Sequence, residues 1–178
     1  VAAITILLYG QFLFNAFYLG FSIGISPIVG FQYGAGNRKQ LLSIYRTSFL
    51  FVLASSVALT VIAVLSSTPL VSVFTRDPET FTLADAGFRI FAFNFLFSGF
   101  NIASSGFFTA LSNGRVSAII SFLRTLVFIV LSLLILPRFF RITGAWLAIP
   151  VAEFLTLVLA LRLHRTYFVR PGEKNYLL

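Results

Sequence analysis

Long apolar runs, separated by breaks of only a few residues, leave this 178-residue chain few folds to adopt. A transmembrane helix needs about 20 consecutive, mostly apolar residues. At that length the sequence divides into spans at 2–33, 47–75, 83–111, 117–137 and 142–163. Between them lie a basic turn at 34–46, a charged loop at 76–82, the tight turn Ser112-Asn113-Gly114-Arg115, and the segment from Pro137 to Arg141. Connections this short make consecutive helices antiparallel neighbours. The expected fold is all-α: a polytopic transmembrane helical bundle of about five spans over residues 1–163, followed by a basic tail at 164–178. The first and third spans exceed the minimum length and must tilt, bend or protrude.

Composition agrees. The chain is 58% hydrophobic and only 10% charged, with a mean hydropathy of +0.98, whereas a soluble domain carries about a quarter charged residues. Cysteine is absent, which excludes a disulfide framework, a thiolate metal site and a thiol nucleophile. The single histidine, His164, sits among arginines near the end, so neither a metal centre nor a cofactor is expected. The net charge of +8 would suggest nucleic acid in a soluble protein. Here the arginines flank apolar spans, and anionic headgroups explain them better.

Alternating sides allow a test of orientation. One side receives Arg38, Lys39, Arg115, Arg162, Arg165, Arg170 and Lys174; the other receives Arg76, Arg138 and Arg141, with Asp77, Glu79 and Asp85 beside the first. The positive-inside rule makes the first set cytoplasmic, and with it the turn at 34–46 and the C-terminal tail. An odd number of spans then places Val1 outside. Val1 opens directly into an apolar run, without the basic flank of a signal peptide, and the chain has no methionine. A fragment preceded by at least one further helix is expected.

Two spans carry polar stripes. In the first, Gln11, Asn15, Tyr18, Ser22 and Ser26 share one helical face; in the third, Asn94, Ser98, Asn101, Ser105, Thr109 and Ser112 do so. Polar groups at membrane depth face protein or water rather than lipid. The stripes are therefore either helix–helix seams or the lining of a cavity. Asn15, Asn94 and Asn101, with full amide groups, are the cavity candidates. The second and fourth spans read as scaffold: Ser55, Ser56 and Thr60 are small packing positions, and Arg124 lies early enough in its span to snorkel back to the interface.

Glu153 is the most expensive residue in the chain. It lies about 11 residues into the fifth span, roughly 16 Å deep at 1.5 Å per residue, near the middle of a ~30 Å hydrocarbon layer. An acid there costs on the order of 2.5–3.5 kcal/mol. Pro150, one turn earlier, bends the helix at that depth. Glu153 is thus either a proton carrier or cation ligand, or a hydrogen-bonded tie between helices. The acidic cluster Asp77-Pro78-Glu79 suits a helix N-terminus better than a Mg²⁺ site. Without clustered acids, histidines or cysteines, the chain is not read as an enzyme.

Residues 24–40, GISPIVGFQYGAGNRKQ, close the first span with an unusual density of glycine and proline. Through Gly24, Pro27, Tyr33, Gly34, Ala35, Gly36 and Asn37 this stretch resembles the segment closing the second helix of each six-helix lobe in the multidrug and toxic compound extrusion (MATE) family. FRIFAFNFLFSGFNIASSGFFTALSNGR is similar to the fourth helix of that family's C-terminal lobe, and GAWLAIPVAEFLTLVLAL to its last. The resemblance makes the five spans helices eight to twelve of twelve. It implies an antiporter exporting cationic or amphipathic drugs and toxic compounds in exchange for H⁺ or Na⁺ by alternating access, with Asn15, Asn94, Asn101 and Glu153 toward a central cavity. It also implies a bacterial cell membrane, and as partners an N-terminal lobe and the first helix of the C-terminal lobe. Some branches of the family place an ion-binding acid in the helix corresponding to 83–111. This chain has Ser98 and Asn101 in that region, so that ion site does not transfer, and coupling falls to the missing lobe, to Glu153, or to both. A lipid-linked saccharide flippase of the same superfamily and a non-transporting membrane subunit are the alternatives.

Overall fold

The computed structural model describes residues 2–169, and among these no strand occurs. Helix α1 (Ala2–Gly34) leads through a three-residue turn into α2 (Arg38–Leu65), which continues after a break at Ser66 as the short α3 (Ser67–Phe74). A second rod comprises α4 (Pro78–Phe91), a 3₁₀ turn at Ala92–Asn94, and α5 (Phe95–Ala110). The last stretch holds α6 (Gly114–Phe122), a π-helical segment at Leu123–Phe128, α7 (Ile129–His164) and a second π-helical segment at Arg165–Val169.

The breaks have local causes. Gly36 adopts φ +68°, and the Asn37 and Gly36 amides donate back to the Gln32 and Tyr33 carbonyls, the paired bonds of a Schellman C-cap. The Asn37 side chain then accepts from the Gln40 amide at 3.2 Å and opens α2. Helix α2 therefore begins at Arg38, not at 47: a side-chain cap sets its start, not the onset of hydrophobicity. It ends at Leu65 because Pro69 has no amide for the Leu65 carbonyl and its ring crowds it. Asp77 caps α4 through the Thr80 amide at 2.8 Å, with Pro78 in the first helical position and Glu79 in the first turn, so the helix expected from 83 begins at Pro78. Asn113 caps α6 through the Val116 amide, which moves that start from 117 to Gly114.

Residues 114–168 form a 55-residue apolar stretch, about 80 Å long as a straight helix and far more than one crossing requires. It folds back at Arg141, which leaves helical geometry with φ 51° and ψ −128°. Gly144 then lies directly against the Leu136 carbonyl and the Pro137 nitrogen. The second limb stays helical beyond 163, through His164 to Val169, into the segment read as the basic tail. Arg170 and Lys174, counted above for orientation, and Val1 lie outside the described residues.

Apolar contact divides into two buried clusters. One gathers Leu7 and Phe14 of α1, Phe88 and Phe91 of α4, Phe95 and Trp146; the other gathers Val29, Leu41, Phe107, Phe108, Leu111, Ile120 and Phe168. Along α1, α5 and α7, the stretches between the two clusters hold Asn15, Tyr18, Ser22 and Ser26, then Ser98, Asn101 and Ser105, and finally Glu153. A polar layer thus crosses the bundle at mid-depth. Outward residues such as Phe12 (74% exposed) and Phe31 (72%) give the bundle an apolar surface suited to lipid.

Candidate functional site

Glu153 stands on α7 one turn past Pro150 and is 2% exposed. Arg124, on the π-helical segment of the preceding limb, turns inward to meet it. Its Nη2 lies 2.7 Å from Glu153 Oε1, and its Nε lies 2.8 Å from Oε1 and 3.0 Å from Oε2. Asn101 of α5 closes the third side: its Nδ2 donates to Glu153 Oε2 at 2.7 Å and to the Glu153 backbone carbonyl at 2.9 Å. Each carboxylate oxygen therefore accepts two bonds, which fills its lone-pair capacity. Two acceptors fix the Asn101 amide, and its Oδ1 is left buried with no hydrogen-bond partner among the described residues.

Arg124 does not snorkel, contrary to the sequence reading. A lone arginine in a helix escapes to the interface, but a buried carboxylate one helix away offers a charge-assisted bidentate bond that the interface cannot match. Opposite charges placed symmetrically about the Pro137–Arg141 turn were the available signal, since antiparallel limbs bring such positions level. Two departures from regular α-helical hydrogen bonding meet here: the π-helix around Arg124, and Pro150, which has no amide to donate, before Glu153. π-Helical segments gather at functional sites because they re-aim side chains inside a helix.

The other candidates take different places. Asn15, half-buried on α1, accepts from Ser98 Oγ at 3.1 Å. Asn94 is fully buried and serves the backbone. The 3₁₀ turn diverts the Phe95 amide to Ala92, and Asn94 Nδ2 takes the Phe91 carbonyl at 2.7 Å. The two stripes face one another across the α1–α5 seam: Tyr18 Oη donates to the Phe95 carbonyl at 3.1 Å, while Gly99 and Gly106 admit Tyr18 and Ser22 where a Cβ would collide. Further along, Ser105 and Thr109 bond to Ser117 at 2.8 Å each, joining α5 to α6. Of the four proposed residues, Asn101 and Glu153 are hydrogen-bonded to each other, while Asn15 and Asn94 bond elsewhere.

The motif residues at the end of α1 are architectural in part. Gly36 and Asn37 make the turn described above; Pro27 and Tyr33 are exposed, and a Cβ at Gly24 or Gly34 would meet nothing within 4 Å among the described residues beyond its own helix.

His164 was missed by sequence reasoning. It is buried at 4% exposure, with Phe49, Phe100, Phe108 and Phe168 packed around it. The Ser104 hydroxyl gives its hydrogen to the Phe100 carbonyl at 2.6 Å and so accepts from His164 Nε2 at 2.8 Å. Nδ1 is left to accept from the Tyr45 hydroxyl at 3.0 Å. This chain of bonds satisfies a neutral imidazole and ties α2, α5 and α7 together.

Comparison with known proteins places this architecture. Residues 1–134 match the family profile described as MatE. A probable multidrug resistance protein NorM of Thermotoga maritima is 24% identical over 130 residues, covering 72% of this chain and 28% of the relative. Among solved structures, an outward-facing multidrug resistance MATE family transporter of the MOP superfamily superposes with a TM-score of 0.86 at 19% identity, over 93% of this chain and 38% of that one. The Vibrio cholerae MATE transporter VcmN in its bent form gives a TM-score of 0.79 at 22% identity, over 94% and 40%. The chain therefore spans well under half the length of these relatives. With a polytopic helical fold shared across nearly all its described residues and a family match over most of its length, the chain belongs to the MatE family of membrane transport proteins.

Proposed function

We propose that this segment is most of one lobe of a secondary antiporter that exports cationic or amphipathic compounds, driven by inward H⁺ or Na⁺ flow through alternating access. The observation that carries the reading is Glu153, an acid held at mid-depth in the bundle by two neighbouring spans. An ionisable residue kept there despite its cost is the usual mark of a substrate or ion path. Glu153 and Asn101 form the centre of the site, with Asn15 in the same polar layer and Asn94 beside it, among the Phe91 and Phe95 end of the first apolar cluster. A second lobe and a further helix complete the transporter, and the ends bearing Arg38, Arg115 and Arg162 face the cytoplasm of the cell whose plasma membrane holds it. A flippase for lipid-linked saccharides would need an uncompensated cation at this depth, and Arg124 is compensated by Glu153.

The test is dye efflux from vesicles holding the complete transporter, wild type against Glu153→Gln, under imposed H⁺ and Na⁺ gradients. Loss of gradient-driven efflux in a normally folded variant supports the reading. Unchanged efflux makes Glu153 a structural tie and moves coupling to the other lobe.

A further inference from the structure

We propose that Arg124 is the resident counter-ion of Glu153, displaced by the cationic group of an arriving substrate, and that the π-helix supplies the slack for its departure. This rests on the antiporter reading above and identifies what occupies the site before substrate does.

Three observations converge. The Glu153 carboxylate is saturated, with two bonds to each oxygen from Arg124 and Asn101. No further cation can be bound by direct ligation until one donor leaves. Of the two, Asn101 is fully buried and also bonded to the Glu153 backbone, whereas the Arg124 side chain is 16% exposed against 3% for Glu153. Arg124 is the donor with a way out.

The second observation is where Arg124 sits. Residues 123–128 are wound as a π-helix inside an otherwise α-helical limb. A π turn holds one residue more than an α turn needs, and its return to α-helix swings the residues at its start by about 100° around the helix axis. That rotation takes the guanidinium off the carboxylate without unfolding the limb.

The third observation is Asn101 Oδ1, a buried acceptor with no partner among the described residues, next to the carboxylate that its own Nδ2 holds. Ser56 Oγ and Asn94 Oδ1 are also buried without a partner among the described residues, but Asn101 Oδ1 is the one on a residue that itself holds the carboxylate, where such an unsatisfied acceptor calls for an explanation. An N–H-bearing organic cation that replaces Arg124 would find both a carboxylate and this second acceptor. Arg124 can reach the carboxylate but does not bond Oδ1. Substrate therefore gains a contact that the resident counter-ion lacks, and exchange becomes favourable. The selected chemistry is a cation with N–H donors; a neutral amphiphile cannot displace a guanidinium.

The experiment measures equilibrium binding of ethidium, a cation carrying amino groups, and of Nile red, a neutral dye, to the purified complete transporter. If Arg124 holds Glu153 in nine molecules of ten, removing it raises cation affinity by about tenfold. Arg124→Gln is thus expected to bind ethidium about tenfold more tightly with Nile red unchanged, Arg124→Lys to fall between it and wild type, and Glu153→Gln to weaken ethidium. Ethidium affinity unchanged or lowered in folded Arg124→Gln, with Glu153→Gln still weakened, overturns the counter-ion proposal and leaves the antiporter site standing. Ethidium binding that is absent from wild type, or indifferent to Glu153→Gln, overturns both. The wild type supplies a measurement that needs no variant to fold. Phenylglyoxal modification of Arg124, read by mass spectrometry, should rise several-fold when ethidium is bound. No rise at saturating ethidium also overturns the displacement.

Discussion

Asn37 and Asn113 do the same two tasks at two different turns. Each donates its backbone amide to the carbonyl five residues back, Gln32 or Phe108, and so ends one helix. Each then accepts the amide three residues ahead with its side chain, Gln40 or Val116, and so begins the next. The two turns differ at the residue before. Gly36 takes a left-handed φ of 68° without penalty, while Ser112 takes φ 59° with a Cβ in the way.

That difference predicts opposite responses to substitution. The left-handed conformation costs a non-glycine residue roughly 1–2 kcal/mol. Ser112→Gly should therefore stabilise the bundle by about 1 kcal/mol, and Gly36→Ala should destabilise it by a similar amount. Beyond its chain neighbours, no atom of the described residues lies within 4 Å of the added methyl at Gly36, so the effect is conformational. Thermal unfolding in one detergent compares both variants with wild type, and a shift of the same sign in the two would refute the account.

The reversal at Arg141 makes a second position unforgiving. A Cβ on Gly144 would run into the Leu136 carbonyl and the Pro137 nitrogen. These are backbone atoms, and a proline ring stiffens them further. Gly144→Ala should cost about 1–3 kcal/mol or more, as overpacking does where neighbours cannot move. Gly24→Ala, where a Cβ meets open space, is the control and should be near neutral. Equal unfolding temperatures for the two would count against a close-packed reversal.

How far these features could be read from sequence varies with their range. Apolar runs and their short breaks are local, and the all-α polytopic fold follows from them. The polar stripes on α1 and α5 were also legible, since helical periodicity alone puts Asn15 and Tyr18 on one face and Asn94, Ser98 and Asn101 on another. What those faces meet was not. Gly99 and Gly106 show the stripes pressed together, a fact about two helices rather than one. Arg124 was misread for the same reason: snorkelling is what one helix permits, and Glu153 lies on another. His164 is the extreme case, because the groups around it come from α2, α5 and the end of the chain's last limb, and nothing near residue 164 announces them.

Asp77 gives the bundle a specific sensitivity to acid. Hydrogen bonds from the Thr80 side chain and the Thr80 amide hold its carboxyl below the usual aspartate range. A depressed folded pKa means that the cap's contribution is fully present above the unfolded value, about 4. It is lost as pH falls below that through the folded value. The unfolding temperature of wild type should therefore fall more than that of Asp77→Asn between pH 6 and pH 3. The asparagine keeps the capping oxygen but cannot be protonated. Parallel curves for the two proteins would place the acid sensitivity in other carboxylates.

The Arg124–Glu153 pair permits a sharper test of what holds the last two limbs together. Removing one member of a buried ion pair strands the other charge and costs about 3–5 kcal/mol, whereas replacing both with apolar residues of similar volume is often neutral or stabilising. Arg124→Leu alone should destabilise strongly, since Glu153 is 3% exposed and would keep only Asn101 as a partner. Arg124→Leu with Glu153→Leu should recover most or all of that loss. The double variant nevertheless leaves Asn101 with only the Glu153-position carbonyl for its amide, so Asn101→Leu added on top should improve it further. Unfolding in a denaturant series reports all three. If the double variant is as unstable as the single, the pair organises the fold of the hairpin itself. Recovery would mean that the two charges sit in the bundle at a cost that folding alone does not require, as the proposed role for Glu153 and Arg124 expects.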